Sequence, residues 1–127
     1  MNYGYKRQVP GTYEEVVQKA RAELKKEGFG IMSEIDVKKT VKEKLGAEFD
    51  NYVILGACNP PFAHKALLAE RDIGLFMPCN VIVYEDEGKV FVAAVKPTLA
   101  MGMVGNPALA SISIEVENKL NKVVDSL

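Results

Sequence analysis

The sequence is poor in the residues that most often carry chemistry. Its 127 residues include two cysteines, one histidine and no tryptophan. Neither C-x-x-C nor H-x-x-x-H spacing occurs, so no recognised metal motif is present. A chain of this length buries about two-thirds of its unfolded surface, so folding needs neither a disulfide nor a metal. The sequence therefore predicts no cofactor and no resident metal.

The chain also lacks a block of one charge and a long apolar run. Basic and acidic residues are interspersed and give a net charge of −1, which argues against a nucleic-acid partner. The longest apolar run, 73–84, is interrupted by Pro78 and Asn80 and falls short of the ~20 residues that span a bilayer. No apolar stretch follows the basic residues of 1–7, so no secretory signal is predicted. We expect a cytoplasmic protein with no membrane partner, whose cysteines are reduced.

What remains is the composition of an ordinary globular protein. Apolar residues make up 48% of the chain and charged residues 26%, which is typical of soluble domains. At this length the expected organisation is a single domain spanning 1–127.

Two helices are marked by their ends. Thr12 is followed three residues later by a glutamate, the spacing of a capping box, and apolar residues recur at helical intervals until Gly28. This pattern predicts a helix from about 12 to 27 with a glycine stop. Asp36 is placed to cap a second, short helix that ends at Gly46.

Strand patterns lie between and after these helices. Apolar runs at 52–57, 81–84 and 90–95 predict three strands, of which the last two form a hairpin. A further strand before them has alternating residues, and the alternation places Ile31 and Ile35 on the same face. One face of that strand is expected to be wetter than the other.

A long final helix completes the pattern. Its apolar residues recur every three or four positions: Leu109, Ile112, Val116, Leu120, Val123 and Leu127. We expect this stripe to cover the chain's own sheet, with a subunit interface as the alternative. The order β-α-β-(α)-β-α-β-β-α predicts an α+β fold with a largely antiparallel sheet covered by helices.

Two short turns hold both cysteines. Cys58-Asn59-Pro60 follows one apolar strand, and Pro78-Cys79-Asn80 precedes another. Asn59 is a good N-cap for a helix that begins at Pro60, and Cys58 then lies beside the positive end of a helix dipole, where a thiolate is stabilised. Polar groups at the ends of two apolar strands are typical of a binding site, so we predict one here. The candidate ligand-binding residues are Cys58, Asn59, Pro60, Pro78, Cys79 and Asn80.

Whether the two turns share one site depends on the direction of their strands. Parallel strands would place the two cysteines at opposite ends of the sheet, whereas antiparallel strands bring both turns to one end. The length of chain between the turns is compatible with either arrangement.

Several of these segments together resemble a known family. They are, in chain order, Gly28-Phe29-Gly30, Ile35-Asp36-Val37, Leu55-Gly56-Ala57-Cys58-Asn59-Pro60, Ala66-Leu67, Gly74-Leu75 and Pro78-Cys79-Asn80-Val81. On these motifs the chain resembles the domain-of-unknown-function 302 family over nearly its whole length. The resemblance implies a TATA-binding-protein-like α+β topology with an antiparallel sheet, and a homodimer, and so favours turns that meet at one end. It implies no activity, because none is assigned to the family.

The sequence favours a binding protein over an enzyme. The predicted function is the binding or sensing of a small molecule or anion at the two turns. Backbone N–H groups near Pro61 and Phe62 would meet negative charge at the start of the helix. We expect a loop or single turn between Thr98 and Gly105, and its flexible segment 101–105 would close over the ligand.

Two other functions remain open. A thiol-dependent redox or metal-handling protein would use Cys58 and Cys79, with His64 completing a zinc site or nearby methionines a copper site. Cysteine-histidine catalysis would require His64 to reach Cys58 from six residues along the helix. An oligomerisation or interaction domain would have no small-molecule site and would associate through its final helix.

Overall fold

A computed structural model describes all 127 residues and contains one five-stranded antiparallel sheet, with strand order β1-β5-β4-β3-β2. The strands are β1 (Gly4–Val9), β2 (Gly30–Asp36), β3 (Tyr52–Cys58), β4 (Cys79–Asp86) and β5 (Lys89–Val95). The helices are α1 (Tyr13–Lys26), α2 (Val37–Leu45), α3 (Pro60–Ala69), α4 (Pro97–Gly102) and α5 (Ala110–Asp125), with 3-10 helices at Arg71–Phe76 and Pro107–Leu109. The predicted α+β fold with an antiparallel sheet is confirmed.

Local sequence accounts for the ends of the first two helices. Thr12 Oγ1 accepts a hydrogen bond from the Glu15 N–H at 3.2 Å, and Asp36 Oδ1 accepts one from the Lys39 N–H at 3.0 Å. Each bond satisfies a backbone donor that a helix N-terminus leaves free. Gly46 ends α2 at φ +64°, a left-handed conformation that glycine adopts without steric cost. Both predicted helices are confirmed.

The core lies between one face of the sheet and the two long helices. Alternate strand residues point to this face, so Leu55, Val81 and Ala94 lie directly opposite one another on three neighbouring strands. All three are fully or nearly fully buried. α1 contributes four buried residues to this core, and α5 contributes Val116, Leu120, Val123 and Val124. The apolar stripe of α5 thus covers the chain's own sheet, as expected.

The C-terminal end of α5 is tied to the edge of the sheet. Arg7 on β1 donates from Nη1 to the carbonyl oxygens of Val124, Asp125 and Leu127, at 2.9, 3.1 and 3.2 Å. A guanidinium at this position satisfies carbonyls that the helix leaves unpaired, and its charge suits the negative end of the helix dipole.

The alternation expected for β2 is wrong. Ile31 pairs with Ala57, whereas Ile35 pairs with Ile54, and these two partners point to opposite faces of β3. The register shifts between Ile31 and Ser33. A β-bulge places an extra residue in one strand and so reverses the faces of the residues that follow it.

The segment that follows β5 also differs from expectation. We expected a loop or single turn there, but residues 97–102 form α4, a short helix that begins at Pro97. Proline fits the first turn of a helix because its missing N–H would have no partner there. None of the five helices has the length and apolar character needed to cross a membrane.

Candidate binding site at the two Cys-Asn turns

The two Cys-Asn turns meet at one end of the sheet. β3 and β4 are antiparallel neighbours, with Ala57 opposite Cys79 and Gly56 opposite Asn80. The end of β3 and the start of β4 therefore lie side by side. The antiparallel alternative left open by the sequence is the right one.

Asn59 joins the first turn to the end of α1. Its side chain is 8% exposed, and its Nδ2 donates a hydrogen bond to the Glu27 carbonyl at 3.1 Å. Gly28 allows this close approach, because a Cβ there would lie 3.2 Å from Asn59 Nδ2. Asn59 occupies the N-cap position of α3, but its side chain makes no capping bond. The predicted side-chain cap is wrong because the amide is used by Glu27 instead.

Pro60 lies outside the site. It begins α3, as expected, and its side chain is exposed. Its place in the first turn of the helix is a sufficient reason for a proline at this position.

The second turn divides its residues between the two faces of the sheet. Cys79 faces the same side as Ala57 and packs against the core. Burial, and to a smaller extent the neighbouring Cys58, raises the pKa of the Cys79 thiol to about 11. Asn80 is the next strand residue, so it points to the other face, where it is exposed.

A small apolar pocket lies between the two turns. Its volume is about 30 Å³, and 11 of its 13 lining residues are hydrophobic. The lining comprises Phe29, Ala57, Cys58, Asn59, Phe62, Ala63, Ala66, Met77, Pro78, Cys79, Met101, Ile112 and Val116. Four of the six predicted site residues are therefore brought together, and Pro60 and Asn80 are not among them. We call this space the inner pocket.

Residues of distant segments complete the inner pocket. Phe29 comes from the chain entering β2, and Ile112 and Val116 come from α5. Sequence reasoning missed these three because they have ordinary core spacing. Met101 was anticipated as part of a closing segment, and it lines the pocket at 7% exposure. Met103 from the same segment is 69% exposed and does not line it.

An outer cleft of about 250 Å³ lies on the other side of the second turn. It shares Met77, Pro78, Cys79 and Met101 with the inner pocket. Its rim carries Leu75, which is 85% exposed. Two flexible methionine side chains thus stand in the wall between the two spaces.

The arrangement does not favour anion binding by the start of α3. Pro60 and Pro61 have no backbone N–H, and the N–H of Ala63 donates to the Asn59 carbonyl at 2.9 Å. The predicted anion site at Pro61 and Phe62 therefore lacks the convergent donors that such a site needs.

Cysteine chemistry finds little support in the same geometry. The raised pKa of Cys79 keeps its thiol protonated at neutral pH. His64 is exposed on α3 and does not line the inner pocket with Cys58. No three His, Cys, Asp or Glu side chains lie together as metal ligands within one chain, so the zinc set of Cys58, Cys79 and His64 does not form there.

Fold and pocket define an α+β protein with an antiparallel sheet and a small apolar site at one end of it. The family described as "Domain of unknown function DUF302" matches residues 5–127, and the chain belongs to that family. This confirms the resemblance drawn from the sequence motifs.

A solved structure supports the same assignment. The chain is similar to the crystal structure of an uncharacterized conserved DUF302 protein from Bacillus stearothermophilus, with 32% sequence identity and a TM-score of 0.92. The similarity covers 98% of each chain. A comparison with curated proteins gave no match.

Proposed function

We propose that this protein binds a small uncharged, apolar ligand in the inner pocket between the two Cys-Asn turns. The observation that carries the proposal is the convergence of both turns on one lining that is almost wholly hydrophobic. Ligand sites in proteins are mostly apolar, with a few polar groups that fix orientation. Here Asn59 and the two thiols are those polar groups.

The ligand reaches the inner pocket through the outer cleft. At about 30 Å³ the inner pocket holds little more than one water-sized group. Joined to the outer cleft, it approaches the ~300 Å³ at which ligand sites begin. Met77 and Met101 stand between the two spaces, and an unbranched thioether side chain changes rotamer readily. A narrow alkyl group that displaces these side chains fits the combined space.

An NMR titration with 1-hexanol tests the proposal. The chain has five methionines, so methyl-labelled methionine reports on Met77 and Met101 with the other three as internal references. We expect saturable shifts at those two methyl groups. Ala63→Leu, which fills the pocket, should abolish them, whereas Ala22→Leu, exposed on α1, should not. Equal shifts at all five methyls, or full binding by Ala63→Leu, would contradict the proposal.

We also propose that the chain forms a homodimer in the cytoplasm. The support is the family resemblance together with exposed apolar side chains on the segment 32–49. Met32 is 69%, Leu45 77% and Phe49 46% exposed, and α2 buries none of its residues. Sedimentation analysis should give a dimer that Leu45→Glu weakens. A monomer at all concentrations would contradict this proposal.

The other two functions receive less support. Redox or metal handling would require a reactive Cys79, and that thiol is buried and protonated. An interaction domain acting through its final helix would require an apolar face on α5 that is free, and that face is buried in the core.

A further inference from the structure

The face of the sheet opposite the core carries an ordered row of side chains. Lys6, Ala93, Ile82, Ile54 and Ile35 lie opposite one another in register across all five strands. None of them belongs to the main core. We call this surface the open face.

An aromatic row lies beside this apolar one. Tyr52, Tyr84 and Phe91 are also in register, and their rings stack with centroids 5.3 and 5.4 Å apart. Tyr52 and Tyr84 form one wall of a cleft of about 540 Å³, within the ~300–1,000 Å³ range of ligand sites. Tyr3, Lys6, Asn80 and Ile82 are among its other lining residues. Most of the lining is hydrophobic.

Lys6 carries the single charged side chain that lines this cleft. Its Nζ lies 4.7 Å from the centroid of the Phe91 ring and 5.3 Å from that of Tyr84. No carboxylate lies within ion-pair distance of it, although Asp86 further along β4 acts on it electrostatically. The interaction with the Tyr84 side chain is the main factor that raises the pKa of Lys6, so the ammonium stays charged.

We propose that the cleft on the open face binds a small organic anion, with its carboxylate-type group on Lys6 and its apolar body against Ile82 and the tyrosine rings. The phenol hydroxyls and the Asn80 amide supply further donors at the same place. An exposed ammonium without a carboxylate partner attracts a carboxylate, and salt screens this attraction. This site is separate from the inner pocket, which lies on the core side of the sheet.

NMR titration of the full chain with 2-naphthoate tests this site, and 2-naphthalenemethanol serves as the uncharged analogue. We expect naphthoate to shift backbone amides of Lys6, Ile82 and Tyr84, and to bind about fivefold or more tightly than the alcohol. Lys6→Met should remove that advantage and leave binding of the alcohol unchanged. Lys89→Met, on an exposed lysine outside the cleft, should alter neither affinity.

A second variant guards against indirect effects of the first. Tyr84→Phe keeps the ring row but removes a phenol hydroxyl that lines the cleft, and should weaken naphthoate about twofold or more. The advantage of naphthoate over the alcohol should fall as salt is raised. The proposal is overturned if naphthoate shifts only residues away from the open face, if Lys6→Met binds it as well as the native chain, or if a second copy covers the face and no shift occurs.

Discussion

The two Cys-Asn turns have nearly the same residues and opposite roles. In the first, Asn59 is buried and bonded to Glu27. In the second, Cys79 packs against the core and Asn80 is exposed. Both cysteines are half-buried, so the clear difference lies in the asparagines: the first amide is buried and the second is exposed.

The difference comes from where each turn stands relative to its strand. Cys58 is the last residue of β3, so Asn59 lies outside the strand. Its side chain can therefore turn toward α1. Cys79 is the first residue of β4, so strand alternation sends Asn80 to the opposite face. A shared dipeptide therefore does not imply a shared function.

The largest expected effect is the pH dependence of stability that comes from the Cys79 thiol. Because folding raises the pKa of Cys79 from about 9 to about 11, the thiol contributes stability that is complete below pH 9 and lost as pH rises to 11. A two-unit shift corresponds to about 2–3 kcal/mol. The free energy of unfolding, measured in urea, should fall between pH 8 and pH 11. We expect this fall to be about 2–3 kcal/mol smaller in Cys79→Ala than in the native chain.

Cys58→Ala is the matched control for that measurement, since burial is the main cause of the raised pKa of Cys79. The free energy of unfolding of Cys58→Ala should fall between pH 8 and pH 11 by nearly as much as that of the native chain. Equal losses in the native chain and in Cys79→Ala would show that the second thiol is not buried as described.

Gly56 tests how tightly the second turn is packed. A Cβ at this position would lie 2.8 Å from Pro78 Cγ and would contact Ser33 Oγ. Overpacking against a rigid ring costs about 1–3 kcal/mol, so Gly56→Ala should lower the free energy of unfolding by about 2 kcal/mol. The control is Gly74→Ala, where an added Cβ meets nothing within 4 Å. Similar stabilities for the two variants would contradict close packing at Gly56.

The two asparagines should differ in their effect on stability. Asn59→Ala leaves the Glu27 carbonyl without its partner, which we expect to cost about 1–2 kcal/mol. Asn80→Ala changes an exposed side chain and should stay within about 0.5 kcal/mol of the native chain. Chemical denaturation measures both. A larger loss for Asn80→Ala would reverse the assigned roles.

The smallest effect is a difference in alkylation rate. With a pKa of about 11, only about one in a thousand Cys79 thiols is ionised at pH 8. Iodoacetamide labelling, resolved by peptide mass spectrometry, should modify Cys58 about tenfold or more faster than Cys79. Unfolding in urea should remove most of the difference. Faster labelling of Cys79 in the folded protein would contradict its raised pKa and would favour a thiol-dependent function.

Features set by neighbouring residues were predictable from the sequence. Thr12 and Asp36 cap helices through bonds to backbone groups three residues away, and the hairpin between β4 and β5 is closed by adjacent turn residues. The two turns were also predictable, because each lies next to a strongly apolar strand. Family resemblance then supplied the strand directions that residue patterns left open.

Features set by distant contacts were not predictable in the same way. The partner of Asn59 is Glu27, 32 residues earlier in the chain, and no local pattern distinguishes that bond from a helix cap. The bulge in β2 reversed the face of Ile35 without any glycine or proline to mark it. The scarcity of N–H donors at the start of α3 has a local cause, since Pro60 and Pro61 have no backbone N–H.

The most direct test of the binding site is the set of intermolecular NOEs between 1-hexanol and side-chain methyl groups of the folded protein. The inner pocket predicts NOEs from the hexyl chain to Met101 and Met77, and none to Ile82 on the open face. NOEs to Ile82 with none to the two methionines would contradict an apolar ligand site between the Cys-Asn turns.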